Sequence, residues 1–135
     1  MNRLSDKEAI DLLKHGDILE LGQQANKIRQ EKHPGNTVTF IVDRNINYTN
    51  VCLNECRFCA FFRRENHKDA YLLPIETILQ KVKETQEAGG TQIMLQGGLH
   101  PSLPFEYYLN MINTIKTAFP DIVIHSFSPA EILHF

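Results

Sequence analysis

The sequence predicts an α/β fold: two leading helices, then parallel strand and helix units of the kind that build the N-terminal portion of a TIM-type barrel. Three observations predict it. Apolar spacing changes from a helical period to a period of two near Thr37, strand-like and amphipathic segments then alternate, and glycine pairs or prolines mark each change. Alternation at these lengths implies right-handed βαβ crossovers and a parallel sheet.

Ser5 followed by Glu8 forms a capping box that opens the first helix, and Gly16 closes it. Asp17 with Glu20 starts a second helix, along which Ile18, Leu21, Ala25 and Ile28 recur until His33, Pro34 and Gly35 break the pattern. Residues 1–36 therefore read as a helical leader and residues 37–135 as a partial barrel. The alternation of Thr37, Thr39 and Ile41 with Val38, Phe40 and Val42 predicts the first strand.

Pro74 stands at the start of the next helix, with Ile75, Ile78, Leu79 and Val82 as its buried stripe and Gly89 and Gly90 as its end. Strand TQIML follows at 91–95. A helix with Phe105, Tyr108, Leu109, Ile112 and Phe119 on one side comes next, then strand IVIHSF at 122–127. Ser128, Pro129 and Glu131 then supply a full set of start signals for a further helix that has one turn of sequence left. About three units are present, against roughly 250 residues for eight, and a truncated barrel is the expectation.

With a net charge of -2 and 22% charged residues, the balance excludes a dedicated nucleic-acid or anionic-membrane binder. No apolar run is long enough to span a bilayer and MNRLSDKEAI has no signal-peptide stretch, so a cytoplasmic location is expected.

The chemistry concentrates in VCLNECRFCAFFRR, residues 51–64, which holds all three cysteines. An odd number of thiols packed this closely makes a poor disulfide framework and in a reducing compartment points to metal. Cys52, Cys56 and Cys59 can hold three irons of a 4Fe-4S cluster and leave the fourth open to an exchangeable ligand, where four cysteines would give a closed carrier. Two alternatives stand beside this: zinc held by the three thiols and His67, and three reduced thiols without metal. The loop lies where parallel α/β folds place cofactors, at the carboxyl ends of strands.

Cys-x3-Cys-x2-Cys with Phe58 before the third cysteine resembles the radical S-adenosylmethionine superfamily. That resemblance implies that Cys52, Cys56 and Cys59 ligate the cluster, that S-adenosyl-L-methionine chelates its open iron, and that Phe58 lies by the adenine. It further implies an electron donor, and cleavage of the cofactor to a 5'-deoxyadenosyl radical that takes a hydrogen atom from a small-molecule substrate. DRNINYTNVC, CAFFRR, Ala70-Tyr71, GGTQIMLQGGLHP and HSFSPAEI resemble the cyclic dehypoxanthine futalosine synthase family of menaquinone biosynthesis, whose substrate is dehypoxanthine futalosine. Aminofutalosine synthase and the deazaflavin-forming FO synthase are its relatives, and Asp43, Tyr48 and the GGTQI run favour the first.

Gly97 and Gly98 end a strand, either as a tight turn needing positive φ or, by the resemblance, as the stretch that approaches the amino group of S-adenosyl-L-methionine. His100 reads as a solvated turn histidine. His125, Ser126, Ser128 and Glu131 are placed to line the pocket, although Ser128 and Glu131 are also accounted for by a capping box alone. Arg63 and Arg64 suit a ligand carboxylate or are surface charge. Asn45, Asn47, Thr49 and Asn50 either support the cluster loop or form its turns.

Overall fold

The computed structural model describes residues 3–135, in two compact units, one ending at Thr39 and one spanning Phe40–Phe135. In the first, helix α1 (Asp6–His15) starts at Ser5, whose hydroxyl accepts from Glu8 N–H while the Glu8 carboxylate accepts from Ser5 N–H at 2.8 Å. These bonds from Ser5 hold the Glu8 carboxyl below the ordinary carboxylate range. Helix α2 (Ile18–Lys32) is capped by Asp17, whose carboxylate accepts from the N–H groups of Leu19 and Glu20. Both helices follow the sequence reading, but neither buries a residue. The α2 stripe is thus not a core stripe; Ile18, its first member, is 77% exposed. Local capping and spacing form these helices without an apolar partner surface in their own unit.

The second unit runs β1 (Asp43–Asn47), α3 (Ile75–Glu87), β2 (Gln92–Gln96), α4 (Phe105–Ala118), β3 (Val123–Ser126) and α5 (Pro129–His134). Its sheet has order β1-β2-β3 with both pairings parallel, and Asp43 faces Gln92, which in turn faces Val123. The first strand is a correction to the sequence reading, for residues 37–42 carry no strand and Phe40 is 87% exposed. Alternation describes a half-buried ribbon. Strand formation here is decided by pairing with β2, and the segment that pairs places Ile46 in the core and delivers Tyr48 into it two residues later.

Ile78 and Val82 of α3 are buried as expected, with Ile75 and Leu79 packed against the core. Gly89, just past the α3 end, has φ +80 and supplies the left-handed residue that stops the helix. The α4 stripe is shifted from expectation: Tyr108, Met111 and Ile115 are buried, whereas Phe105 and Leu109 are exposed. Tyr108, Met111 and Ile115 follow one another at spacings of three and four, the direct continuation of one helical face, and that face meets the sheet. Phe127, with φ 56, takes the left-handed conformation at the end of β3. Its ring packs edge-on against Tyr48, Tyr108 and Phe135, and this aromatic nest holds the strained turn in place.

Candidate cofactor site

All three cysteines lie on the loop between β1 and α3, which is folded by bonds to its own ends. Cys52 N–H donates to Arg63 O at 3.0 Å and Arg63 N–H to Asn50 O at 2.8 Å, closing the cysteine segment. Thr49 Oγ1 donates to Tyr71 O and accepts from Val51 N–H, and Asn50 donates to Asp69 O and accepts from Tyr71 N–H. Thr49 and Asn50 therefore act as braces of the loop, one of the two roles open in the sequence. Arg64 donates to Cys52 O and Leu53 O and pairs with Glu55, so its charge is engaged in the same loop.

A cavity of about 370 Å³ opens at the carboxyl ends of β1 and β2, with Cys52, Cys56, Cys59, Gly97, Gly98 and Ser128 in its wall. Its size is that of a small-molecule or cofactor site. Asn47, Phe61, Phe62, Arg63 and Tyr71 complete the side facing the loop. Cys52 Sγ accepts from Leu99 N–H at 3.3 Å, a contact of the kind that orients and tunes a thiolate ligand. Arg63 turns two N–H groups of one nitrogen toward Ala60 O and Phe62 O, while its Nε is buried with no partner among the described residues.

Several expected residues sit elsewhere. Phe58 is fully exposed and not in the wall; Cys59 N–H bonds back to Cys56 O at 2.9 Å, and this turn carries Phe58 at its outer corner. Glu131 is 1% exposed and also outside the wall. Its Oε1 accepts from Tyr48 OH at 2.7 Å and from Gly97 N–H at 2.9 Å, and its Oε2 from Ser128 N–H at 2.7 Å. Burial first, then the bond to Glu131, push the Tyr48 hydroxyl pKa well above its ordinary value. His125 and Ser126 do not line the cavity. His100 is buried rather than solvated, with Nδ1 accepting from Ser102 N–H and its carbonyl bonded to the His134 ring.

Neither glycine of the pair has positive φ, so the turn explanation fails. A Cβ on Gly97 would lie 2.4 Å from the Tyr48 ring, and one on Gly98 would lie 2.1 Å from Val51 O. Both positions require glycine because the segment following β1 lies directly against them, the Tyr48 ring at Gly97 and the Val51 backbone at Gly98.

The donor set suits an iron-sulfur cluster. Three soft thiols share one wall of one cavity, each free to take its own iron. His67, the fourth donor of the zinc alternative, lines a different depression and accepts from Asp69 N–H. No described helix is long and apolar enough to cross a membrane.

Comparison with known proteins agrees with this arrangement. Cyclic dehypoxanthine futalosine synthase of Halalkalibacterium halodurans is 46% identical over 130 residues, covering 96% of this chain and 35% of that protein. The 5-amino-6-(D-ribitylamino)uracil–L-tyrosine 4-hydroxyphenyl transferase of Methanopyrus kandleri is 52% identical over 98 residues, covering 73% and 27%. The chain thus spans about a third of the length of the curated relatives it matches. Among solved structures, the FeFe-hydrogenase maturase HydG of Carboxydothermus hydrogenoformans superposes with a TM-score of 0.54 at 30% identity, over 90% of this chain and 28% of that one. The model of the radical SAM superfamily matches residues 46–133, from the core residue of β1 through the cysteine loop and both crossovers to α5, and the chain belongs to that superfamily.

Proposed function

We propose that this chain is the N-terminal part of a radical SAM barrel enzyme that cyclises dehypoxanthine futalosine in menaquinone biosynthesis, the three strands β1 to β3 being the first of its barrel. Cys52, Cys56 and Cys59 hold the 4Fe-4S cluster, and S-adenosyl-L-methionine lies against Gly97, Gly98 and Ser128. The observation that carries this reading is the meeting of the three thiols and the Gly97-Gly98 backbone in one cavity at the carboxyl ends of two parallel strands. When bound, the cluster and cofactor supply reductive cleavage of the sulfonium and hydrogen-atom abstraction from substrate. The protein's own part is binding and orientation. Arg63 brings a positive charge to the cavity wall for a ligand carboxylate, and Phe61 and Phe62 keep that side of the cavity apolar. Phe58 stands outside the wall as the chain folds, so the adenine contact expected of it does not enter this reading.

A second reading, tyrosine-dependent deazaflavin precursor synthesis, is favoured by the 52% identity to the Methanopyrus kandleri transferase over a shorter stretch. The full barrel enzyme that carries this chain, anaerobically reconstituted, reduced and given S-adenosyl-L-methionine, separates the two. Cyclic product from dehypoxanthine futalosine is expected; product from L-tyrosine and 5-amino-6-(D-ribitylamino)uracil instead would overturn the assignment. A colourless preparation lacking iron and sulfide after reconstitution would overturn the cluster itself.

A further inference from the structure

We propose that Glu131 is a positioning residue which, through the Gly97 amide, holds the 97–99 backbone against the cysteine loop and so sets the affinity of the cavity for S-adenosyl-L-methionine. This rests on the reading that the cofactor binds in the cavity.

Glu131 gathers chain segments that are remote in sequence. The start of the cysteine loop reaches it through Tyr48 OH, the end of β2 through Gly97 N–H, and the α5 cap through the Ser128 backbone and hydroxyl. Every one of these contacts presents a donor to a carboxylate oxygen, and the group is inaccessible to solvent. A helix cap needs only the Ser128 half of this set. The other half has no capping purpose.

That other half lies one step from the cavity. Gly97 N–H is fixed by Glu131, Gly98 N–H by Thr49 O at 3.1 Å, and Leu99 N–H by Cys52 Sγ at 3.3 Å. Three successive amides are thereby tied to three different supports. The first two of these residues are those whose missing side chains let the strand end lie against Tyr48 and Val51. The Gly97 amide shares its peptide plane with the Gln96 carbonyl, which accepts from Tyr48 N–H at 3.2 Å; rotating that plane would break both bonds, so Glu131 fixes the point at which the 97–99 backbone leaves β2 for the cavity wall. The Tyr48 ring, pinned by its hydroxyl to the same carboxylate, backs Gly97 from behind.

Glu131→Leu keeps size and helix propensity but removes the acceptor, leaving the Gly97 amide and the Tyr48 hydroxyl buried without a partner. Glu131→Gln is the milder companion should the first variant not fold: its NH2 must face either Gly97 N–H or Ser128 N–H. Ile78→Ala, a fully buried change on α3, serves as a control for lost stability alone. Two measurements are made well below each variant's unfolding temperature. Amide hydrogen exchange is followed at residues 97–99 without cluster, and S-adenosyl-L-methionine affinity by equilibrium dialysis after anaerobic reconstitution.

Glu131→Leu should speed exchange at Gly97 and weaken cofactor binding, each by about tenfold, as expected for loss of one buried hydrogen bond. Glu131→Gln should show a smaller change in the same direction, and Ile78→Ala neither. Unchanged affinity in the Glu131 variants, with wild-type protein binding the cofactor, would overturn this inference alone and reduce Glu131 to a helix cap. Wild-type protein that loads a cluster but does not bind S-adenosyl-L-methionine would overturn the cavity reading, and this inference with it.

Discussion

Gly98→Ala isolates a steric cause at the heart of the site. Its new Cβ would lie 2.1 Å from Val51 O, 2.7 Å from Val51 C and 2.8 Å from Cys52 Cβ. Ordinary contact begins at 3.4 Å, so the Val51 oxygen alone would have to retreat by 1.3 Å (3.4 less 2.1). It has little room to do so. Val51 N–H is held by Thr49 Oγ1, Val51 bridges Arg63, and Leu53 N–H is bonded to Leu99 O at 2.9 Å. Backbone that cannot give puts the cost at the upper end of the overpacking range, about 3 kcal/mol. For a domain of this size that corresponds to a fall in melting temperature of roughly 12–24 °C. Since Cys52 is one of the three contacted groups, iron and sulfide uptake should fall as well. Gly89→Ala is the contrasting variant: its Cβ meets nothing within 4 Å, and its cost comes from φ +80 alone, about 1 kcal/mol. Thermal melts, urea midpoints and iron analysis on both variants decide the matter. If Gly98→Ala melted within a few degrees of wild type and loaded iron fully, the claim that the Val51 backbone demands glycine there would be refuted.

Cys56→Ala leaves two thiols in the cavity wall and should give well under half of the wild-type iron and sulfide on anaerobic reconstitution; full loading would show that the ligand assignment is wrong. Burial raises the pKa values of Tyr48, Tyr107 and Tyr108 above the ordinary 10.0. Above pH 10 the unfolded chain loses these protons before the folded one does, so this contribution to stability is intact below pH 10 and declines as pH rises beyond it; urea midpoints from pH 8 to pH 11 should fall, less steeply in Tyr48→Phe, and a flat profile would contradict the burial. The sheet has β1 and β3 as its edges, and unpaired strand edges favour self-association, so light scattering on the 135-residue chain should report mass above the monomer; a clean monomer at all concentrations would count against this.

The elements most legible in the sequence were those governed by neighbours along the chain. Ser5, Asp17 and Ser128 cap helices where capping chemistry places them, since each bond reaches only two or three residues ahead. β2 and β3 fall within a residue or two of the predicted spans because apolar runs bounded by glycine or proline leave few alternatives. The cysteine spacing carried the family by itself, for the loop chemistry is local and the pattern uncommon. What failed was decided across the fold. Alternation made Thr37–Val42 look like a strand, but pairing with β2 selected Asp43–Asn47. The apolar positions of α4 allowed two faces, and contact with the sheet chose Tyr108, Met111 and Ile115.

The candidate site divides the same way. From the sequence alone came the three thiols, the glycine pair, Ser128 and the chemistry they imply, because each depends on residue type and short spacing. Only the tertiary structure showed that Arg64 is engaged while Arg63 has a free buried nitrogen, that Phe58 points outward, and that His100 is inside. It alone joined Tyr48 to Glu131, 83 positions apart, with no sequence signal linking them. The glycine pair sums up the physical reason. Gly97 and Gly98 were read as a turn or a cofactor contact; what the structure adds is that the Tyr48 ring and the Val51 backbone leave no room for a side chain at either, a packing that exists only once segments remote in sequence have been brought side by side.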